Sequence, residues 1–206
     1  LGTAASHGRA LWALGTVVGR ARDRGRAGLS AQLFDAALPA TAELASPRGW
    51  AYALLGLAEY QQAFVGEPAI DAVQATLATR LRARFVAADA CAWPWCEAEV
   101  GPDSARLAQA MLVAGAQLGD EETVAIGARA LTWLLAVDAA RGSAHDPHPL
   151  AAGAAVSACV TALQVTGDPR WVDEARRAFR GFRGRAEVEP GPEATLSFLL
   201  ALAELR

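Results

Sequence analysis

Five helix starts in this 206-residue chain repeat the same punctuation, and that repetition constrains the fold more than any other feature. They read Ser-His-Gly-Arg at 6–9, Ser-Pro-Arg-Gly-Trp at 46–50, Gly-Pro-Asp-Ser-Ala-Arg at 101–106, Asp-Pro-His-Pro at 146–149 and Pro-Gly-Pro-Glu-Ala-Thr at 190–195. A proline or a short polar residue ahead of an Ala/Leu-rich run marks a helix N-terminus. One more amphipathic helix lies between each pair of starts, so the proline markers recur at roughly 40–55 residues, about the span of a helical hairpin. If every second helix begins on the same side of the molecule, the polar residues at those starts converge on one face.

Hydrophobic period assigns the helices. Leu11, Leu14 and Val18 mark the first, which ends near Asp23-Arg24-Gly25. Leu33, Leu38 and Ala42 mark the second, where Pro39 predicts a kink or a split. Trp50, Leu54, Leu57 and Tyr60 give the third a clean stripe, and Ile70, Val73, Leu77, Leu81 and Phe85 give one to the fourth. Residues 89–101 form a long irregular connection rich in aromatic and acidic side chains. Beyond it lie helices marked by Leu107/Met111/Leu118, Val124/Leu131/Leu135, Val156/Val160/Leu163 and Trp171/Ala175/Phe182, and a ninth from 194 to 205. Asp120 and Asp168 sit at N-cap positions, and Gly119 and Gly167 just past helix ends. No segment alternates with the period of a strand, so the chain is expected to be all-α.

The odd-numbered helices are rich in small residues and poor in charge, whereas the even ones are conventionally amphipathic. Helices apolar on all sides are buried ones. An inner ring inside an outer ring is the arrangement of an α/α toroid, here incomplete or open with four to five hairpins; a HEAT-like solenoid is the structural alternative. Residues 1–206 read as one domain, and an opening Leu1 without a methionine points to sequence upstream, the chain then being the C-terminal part of a longer one.

Composition excludes several roles. A net charge of −3 with interspersed signs gives no electrostatic case for nucleic acid. Apolar stretches such as 50–58 or 196–202 fall short of the ~20 residues of a membrane span, and no signal-peptide pattern opens the chain. A cytoplasmic protein without membrane insertion is expected. The three cysteines, Cys91, Cys96 and Cys159, are too few for a disulfide framework. His145 and His148 make a His-x-x-His broken by proline, and with the wide cysteine spacing this argues against zinc. No metal or cofactor is expected. Every basic residue is arginine, with no lysine and no asparagine in the chain; a GC-rich genome accounts for the bias, and its chemical consequence is that each cation is a planar, permanently charged fork.

Several blocks, in order along nearly the whole chain, resemble the helical C-terminal α/α-toroid region of bacterial glycosyltransferases, related in architecture to six-hairpin glycosidases. They are Ser6-His7-Gly8-Arg9-Ala10-Leu11-Trp12, Trp93-Pro94-Trp95-Cys96-Glu97, Asp103-Ser104-Ala105-Arg106-Leu107, Gly167-Asp168-Pro169-Arg170-Trp171 and Gly191-Pro192-Glu193-Ala194-Thr195. The resemblance implies a carbohydrate ligand and a glycosyltransferase as partner or neighbouring domain. Where that region has asparagine in the block at 103–107, this chain has Ser104, and His148-Pro149 replaces glutamines before the seventh helix. Lost amides mean lost hydrogen bonds to sugar hydroxyls, which weighs toward binding or an accessory role over catalysis.

An enzyme of this kind would need two carboxylates, one to protonate the leaving oxygen and one across the ring. Glu97 and Glu193 are the candidate pair, with Asp103 a third. Asp103 also suits a helix N-cap and Glu193 a first helical turn. Trp93 and Trp95 are candidate sugar platforms, and a proline between them also allows one to pack and one to face the ligand. His7, Arg9, Arg106 and His148 are candidate sugar-binding residues, although Arg106 reads first as a clamp on Asp103 or Glu97 in a structural ion pair. Trp12, Trp50, Trp133 and Trp171 lie on helical stripes and read as core, as does Cys159. A non-catalytic protein-interaction module is the remaining alternative.

Overall fold

The computed structural model describes residues 3–89, 93–141 and 149–183, together with position 199. Among them the chain is all-helical: α1 (Ala4–Arg20), α2 (Arg24–Ala37), a 3-10 turn (Leu38–Glu43), α3 (Pro47–Tyr60), α4 (Pro68–Asp89), α5 (Ala105–Leu118), α6 (Glu121–Arg141), α7 (Pro149–Thr166) and α8 (Arg170–Arg183). Pro39 splits the second helical segment as expected, because it fits the first turn of the 3-10 helix but not the interior of an α-helix. Of the ninth expected helix, all but position 199 lies outside the described residues.

Local signals set the ends. Thr3 accepts the Ser6 amide at 3.2 Å, Asp23 that of Arg26 at 2.8 Å, and Ser46, followed by Pro47, that of Gly49 at 3.1 Å. Asp120 accepts from the Thr123 amide at 3.0 Å and Asp168 from the Arg170 amide at 2.9 Å. Gly119 and Gly167 close α5 and α7 in the left-handed conformation that glycine adopts without a Cβ penalty. The first helix begins earlier than the 6–9 block, so His7 and Arg9 lie inside α1.

Each even helix packs on the odd helix before it, and the odd helices pack in succession, α1 on α3, α3 on α5 and α5 on α7. The odd row is the buried one. In α3, residues 51–58 are all buried, and so are residues 153–159 of α7. On α4 the buried positions are Ile70, Gln74, Leu77, Ala78, Leu81 and Phe85, the stripe of an amphipathic outer helix.

The α1–α3 contact is unusually close and runs parallel. A β-carbon at Gly8 would lie 2.6 Å from the Gly49 carbonyl oxygen, and one at Gly56 would lie 2.7 Å from the Leu11 carbonyl. At Gly15 it would run into the carbonyl of Gly56, and at Gly19 into that of Glu59. Glycines seven apart on both helices thus let backbone meet backbone. One sequence expectation is corrected: Glu121–Ala140 in α6 is, by length and composition, long and apolar enough to cross a membrane. Here Ile126, Ala130, Leu131 and Leu134 on that helix join the core instead.

Candidate functional site

The starts of α1, α3 and α5 and the loop before α5 bring charged and aromatic side chains onto one face. Arg9 extends from the second turn of α1 and Tyr52 from α3; both meet Asp103. Arg9 Nη2 lies 2.5 Å from Asp103 Oδ2 and 3.2 Å from the Tyr52 hydroxyl, which itself donates to Asp103 Oδ2 at 2.5 Å. Charge-assisted bonds of this kind are the strong ones. Burial, with the Asp103 bond adding to it, pushes the Tyr52 phenol up to about 12, so it stays a donor across the physiological range. The capping role expected for Asp103 is therefore corrected. Ser104 occupies the α5 N-cap position, its hydroxyl accepting from the Gly101 amide, while the Asp103 carboxylate faces α1 and α3.

The rings and guanidinium groups here form a ladder. Arg106 lies over Trp12 at 4.8 Å, Trp12 stacks on Tyr52 at 5.7 Å, and Arg9 lies over Tyr52 at 5.0 Å. Arg106 donates to Gln109 at 2.7 Å, and Gln109 to Thr161 on α7 at 3.0 Å. In place of the expected clamp by Arg106, Asp103 pairs with Arg9 and Glu97 with Arg48, while Arg106 lies over Trp12 of α1. Trp12, assigned to the core from its stripe, is only partly buried and sits at the centre of this ladder.

Glu97 is held by Arg48, with Nη2 at 2.8 Å from Oε2; the same nitrogen lies 3.2 Å from Ser104 Oγ. Gly101 makes room, since a β-carbon there would lie 3.0 Å from Arg48 Nη2. Burial raises the Glu97 carboxyl above the ordinary value of 4.5, outweighing the opposing pull of Arg48 and the smaller one of Arg84. A carboxyl raised in the folded state binds its proton more tightly there. Its contribution to stability is full below the unfolded value and is lost as pH rises through the folded one. Unfolding by denaturant from pH 4 upward should show that decline, and Glu97→Gln should flatten it. An unchanged slope in the variant would refute the assignment.

The two tryptophans of the loop divide their roles. Trp95 is 2% exposed, stacked on Trp133 at 5.6 Å and edge-on to Phe85 at 5.5 Å, so as a sugar platform it is corrected to a buried support. Trp93 is 39% exposed, packs edge-on against Trp133 at 5.1 Å, and donates Nε1–H to the Glu97 carbonyl at 2.9 Å. Behind the loop a cleft of about 190 Å³ opens between α4 and α6, walled by Phe85, Pro94, Ile126 and Trp133, with Asp89 and Arg129 3.8 Å apart on its lining.

His7 turns toward the first hairpin, its Nε2 3.1 Å from the Ala37 carbonyl oxygen, and so helps to join α1 to α2. Glu193, His148, His145 and Cys91 lie outside the described residues. Among the described residues no group of three His, Cys, Asp or Glu side chains is arranged to hold a metal. The residues that sequence reasoning missed are Arg48 and Tyr52. Their signal was spacing, since both lie one turn apart at the start of α3.

No protein-family model, curated protein or solved structure matches this chain.

Proposed function

We propose that the chain is a carbohydrate-binding helical domain, an open α/α-toroid arc that serves as accessory to a glycosyltransferase. Its sugar sits on the face where α1, α3 and α5 begin. The observation that carries this reading is the Arg106–Trp12–Tyr52–Arg9 ladder pinned by Asp103, with Trp93 exposed on the neighbouring loop. Tyr52 is buried and serves as the support of the ladder, while the partly buried Trp12, the exposed Trp93 and the guanidinium planes suit the C–H faces of a pyranose, and carboxylate–arginine pairs suit its hydroxyls. Both carboxylates of the face are already engaged by arginine, which favours holding hydroxyls over moving protons.

The raised Glu97 carboxyl favours one second reading, a glycosidase-like enzyme with Glu97 as general acid. Titrating mono- and oligosaccharides against tryptophan fluorescence tests the binding reading. A saturable change is expected, weakened about tenfold or more by Trp93→Ala and by Asp103→Asn. Unaltered affinity in both variants, or no response to any saccharide, would reject it. Release of reducing sugar that Glu97→Gln abolishes would favour the enzyme.

A further inference from the structure

We infer that the cleft between α4 and α6 is a second ligand site, which takes a small neutral molecule with a single aromatic ring. It lies on other elements than the ladder at the helix starts and does not depend on the carbohydrate reading. The cleft holds about 190 Å³. A dry apolar cavity of about 150 Å³ is enough to bind benzene, whereas drug-sized ligands occupy clefts of roughly 300 Å³ or more. One ring therefore fits, and an oligosaccharide does not. Phe85, Val86, Pro94, Ile126, Ala130 and Trp133 supply apolar walls, and among the described residues that line the cleft none carries a hydroxyl or an amide side chain. A sugar would leave hydroxyls unpaired against such walls, at a cost for each. An aromatic ring avoids that cost and gains edge and face contacts with Phe85 and Trp133.

The walls are set before any ligand arrives. Buried Trp95 stacks on Trp133 at 5.6 Å and meets Phe85 edge-on at 5.5 Å, so one ring fixes both aromatic walls. A preformed site spares a ligand the cost of ordering it. Phe85, Ile126 and Ala130 are buried and make the floor. Val86 is 50% exposed and Trp133 only partly buried, so the cleft opens to solvent along them. Asp89 and Arg129 are the charged members of the lining, 3.8 Å apart with side chains 65% and 61% exposed. They face each other and water, and so offer a ligand no net charge. A neutral molecule suits that rim, with any hydroxyl of its own turned to the solvent side.

The test titrates phenol, benzyl alcohol and cyclohexylmethanol into the whole chain by calorimetry. The two aromatic probes are expected to bind with a Kd of about 1 mM or tighter, and cyclohexylmethanol several-fold more weakly than benzyl alcohol. Ala130→Leu places a larger side chain in the cleft and should abolish binding of benzyl alcohol. Val86→Ser changes an exposed position, so that variant should fold as the parent does while weakening benzyl alcohol several-fold. Circular dichroism melts confirm that each variant is folded at the titration temperature. Silence from both aromatic probes, or unchanged benzyl alcohol affinity in the folded variants, would overturn the site. Equal affinity for cyclohexylmethanol would overturn its preference for an aromatic ring. The saccharide titration is read separately, so neither result bears on the carbohydrate reading.

Discussion

Alanine at Gly15 or at Gly56 is expected to destabilise the protein by about 3 kcal/mol, lowering Tm by roughly 6–12 °C. Alanine in a helix interior normally gains about 1 kcal/mol over glycine, so intrinsic propensity points the other way. Geometry decides. A β-carbon at Gly15 meets the carbonyl of Gly56, and one at Gly56 meets the Leu11 carbonyl and the Trp12 amide. These are backbone atoms of a facing helix, and no rotamer change moves them. Relief requires α1 and α3 to separate, which opens the packing of Leu11, Leu54 and Leu55 together. Gly28 supplies the control: it lies in α2 with nothing within 4 Å of an added β-carbon. Gly28→Ala should raise Tm by roughly 2–4 °C through propensity. Thermal melts by circular dichroism read all three variants. A Gly15→Ala melt at or above the parent would show that the helices are not in backbone contact.

That contact also shows where the sequence was legible. Caps and stops were, because each is written within a few residues: Ser46 with Pro47, Asp120 with Thr123, Asp168, and the left-handed Gly119 and Gly167. The all-α class and the buried odd helices were legible from period and small-residue content. The pairing of Gly8 and Gly15 with Gly49 and Gly56 was not. The seven-residue spacing can be read on each helix, but which helix faces which is fixed only by packing.

The candidate face divides in the same way. The punctuation marks the odd helix starts, where Arg9 meets Asp103 and Arg48 meets Glu97 of the adjoining loop, which also carries Trp93. The partners were misread, because local logic pairs neighbours. Asp103 sits three residues before Arg106 and directly before a helix, so a cap or a nearby ion pair is the natural expectation. Its partners instead come from residues 94 and 51 positions away in sequence, Arg9 and Tyr52. A charged bond from arginine together with a buried phenol donor outweighs a cap worth about 1 kcal/mol. Trp12 was misread for a related reason. A helical stripe gives a direction but not the depth to which a neighbour covers it.

Trp95→Ala should cost about 3–5 kcal/mol, whereas Trp93→Ala should cost about 1 kcal/mol while weakening saccharide binding about tenfold or more. The two residues are identical in type and two positions apart, so composition and local sequence predict no such difference. Burial does. Trp95 fills the space between Phe85 and Trp133, and its removal leaves a cavity lined by rings that cannot collapse into it. Trp93 loses an edge contact with Trp133 and one hydrogen bond to the Glu97 carbonyl, with solvent ready to replace both. Trp95→Phe makes the assignment sharper. The Trp95 indole N–H is buried beside the Glu97 carboxyl without a well-formed hydrogen bond, so a phenyl ring keeps most of the packing and gives up only a weak polar contact. That variant should stay within about 1.5 kcal/mol of the parent and keep its saccharide affinity. Denaturant unfolding followed by far-ultraviolet circular dichroism gives the stabilities, and the saccharide titration gives the binding. Equal losses of stability at positions 93 and 95 would remove the distinction between support and platform, and with it the reason for placing the ligand at Trp93.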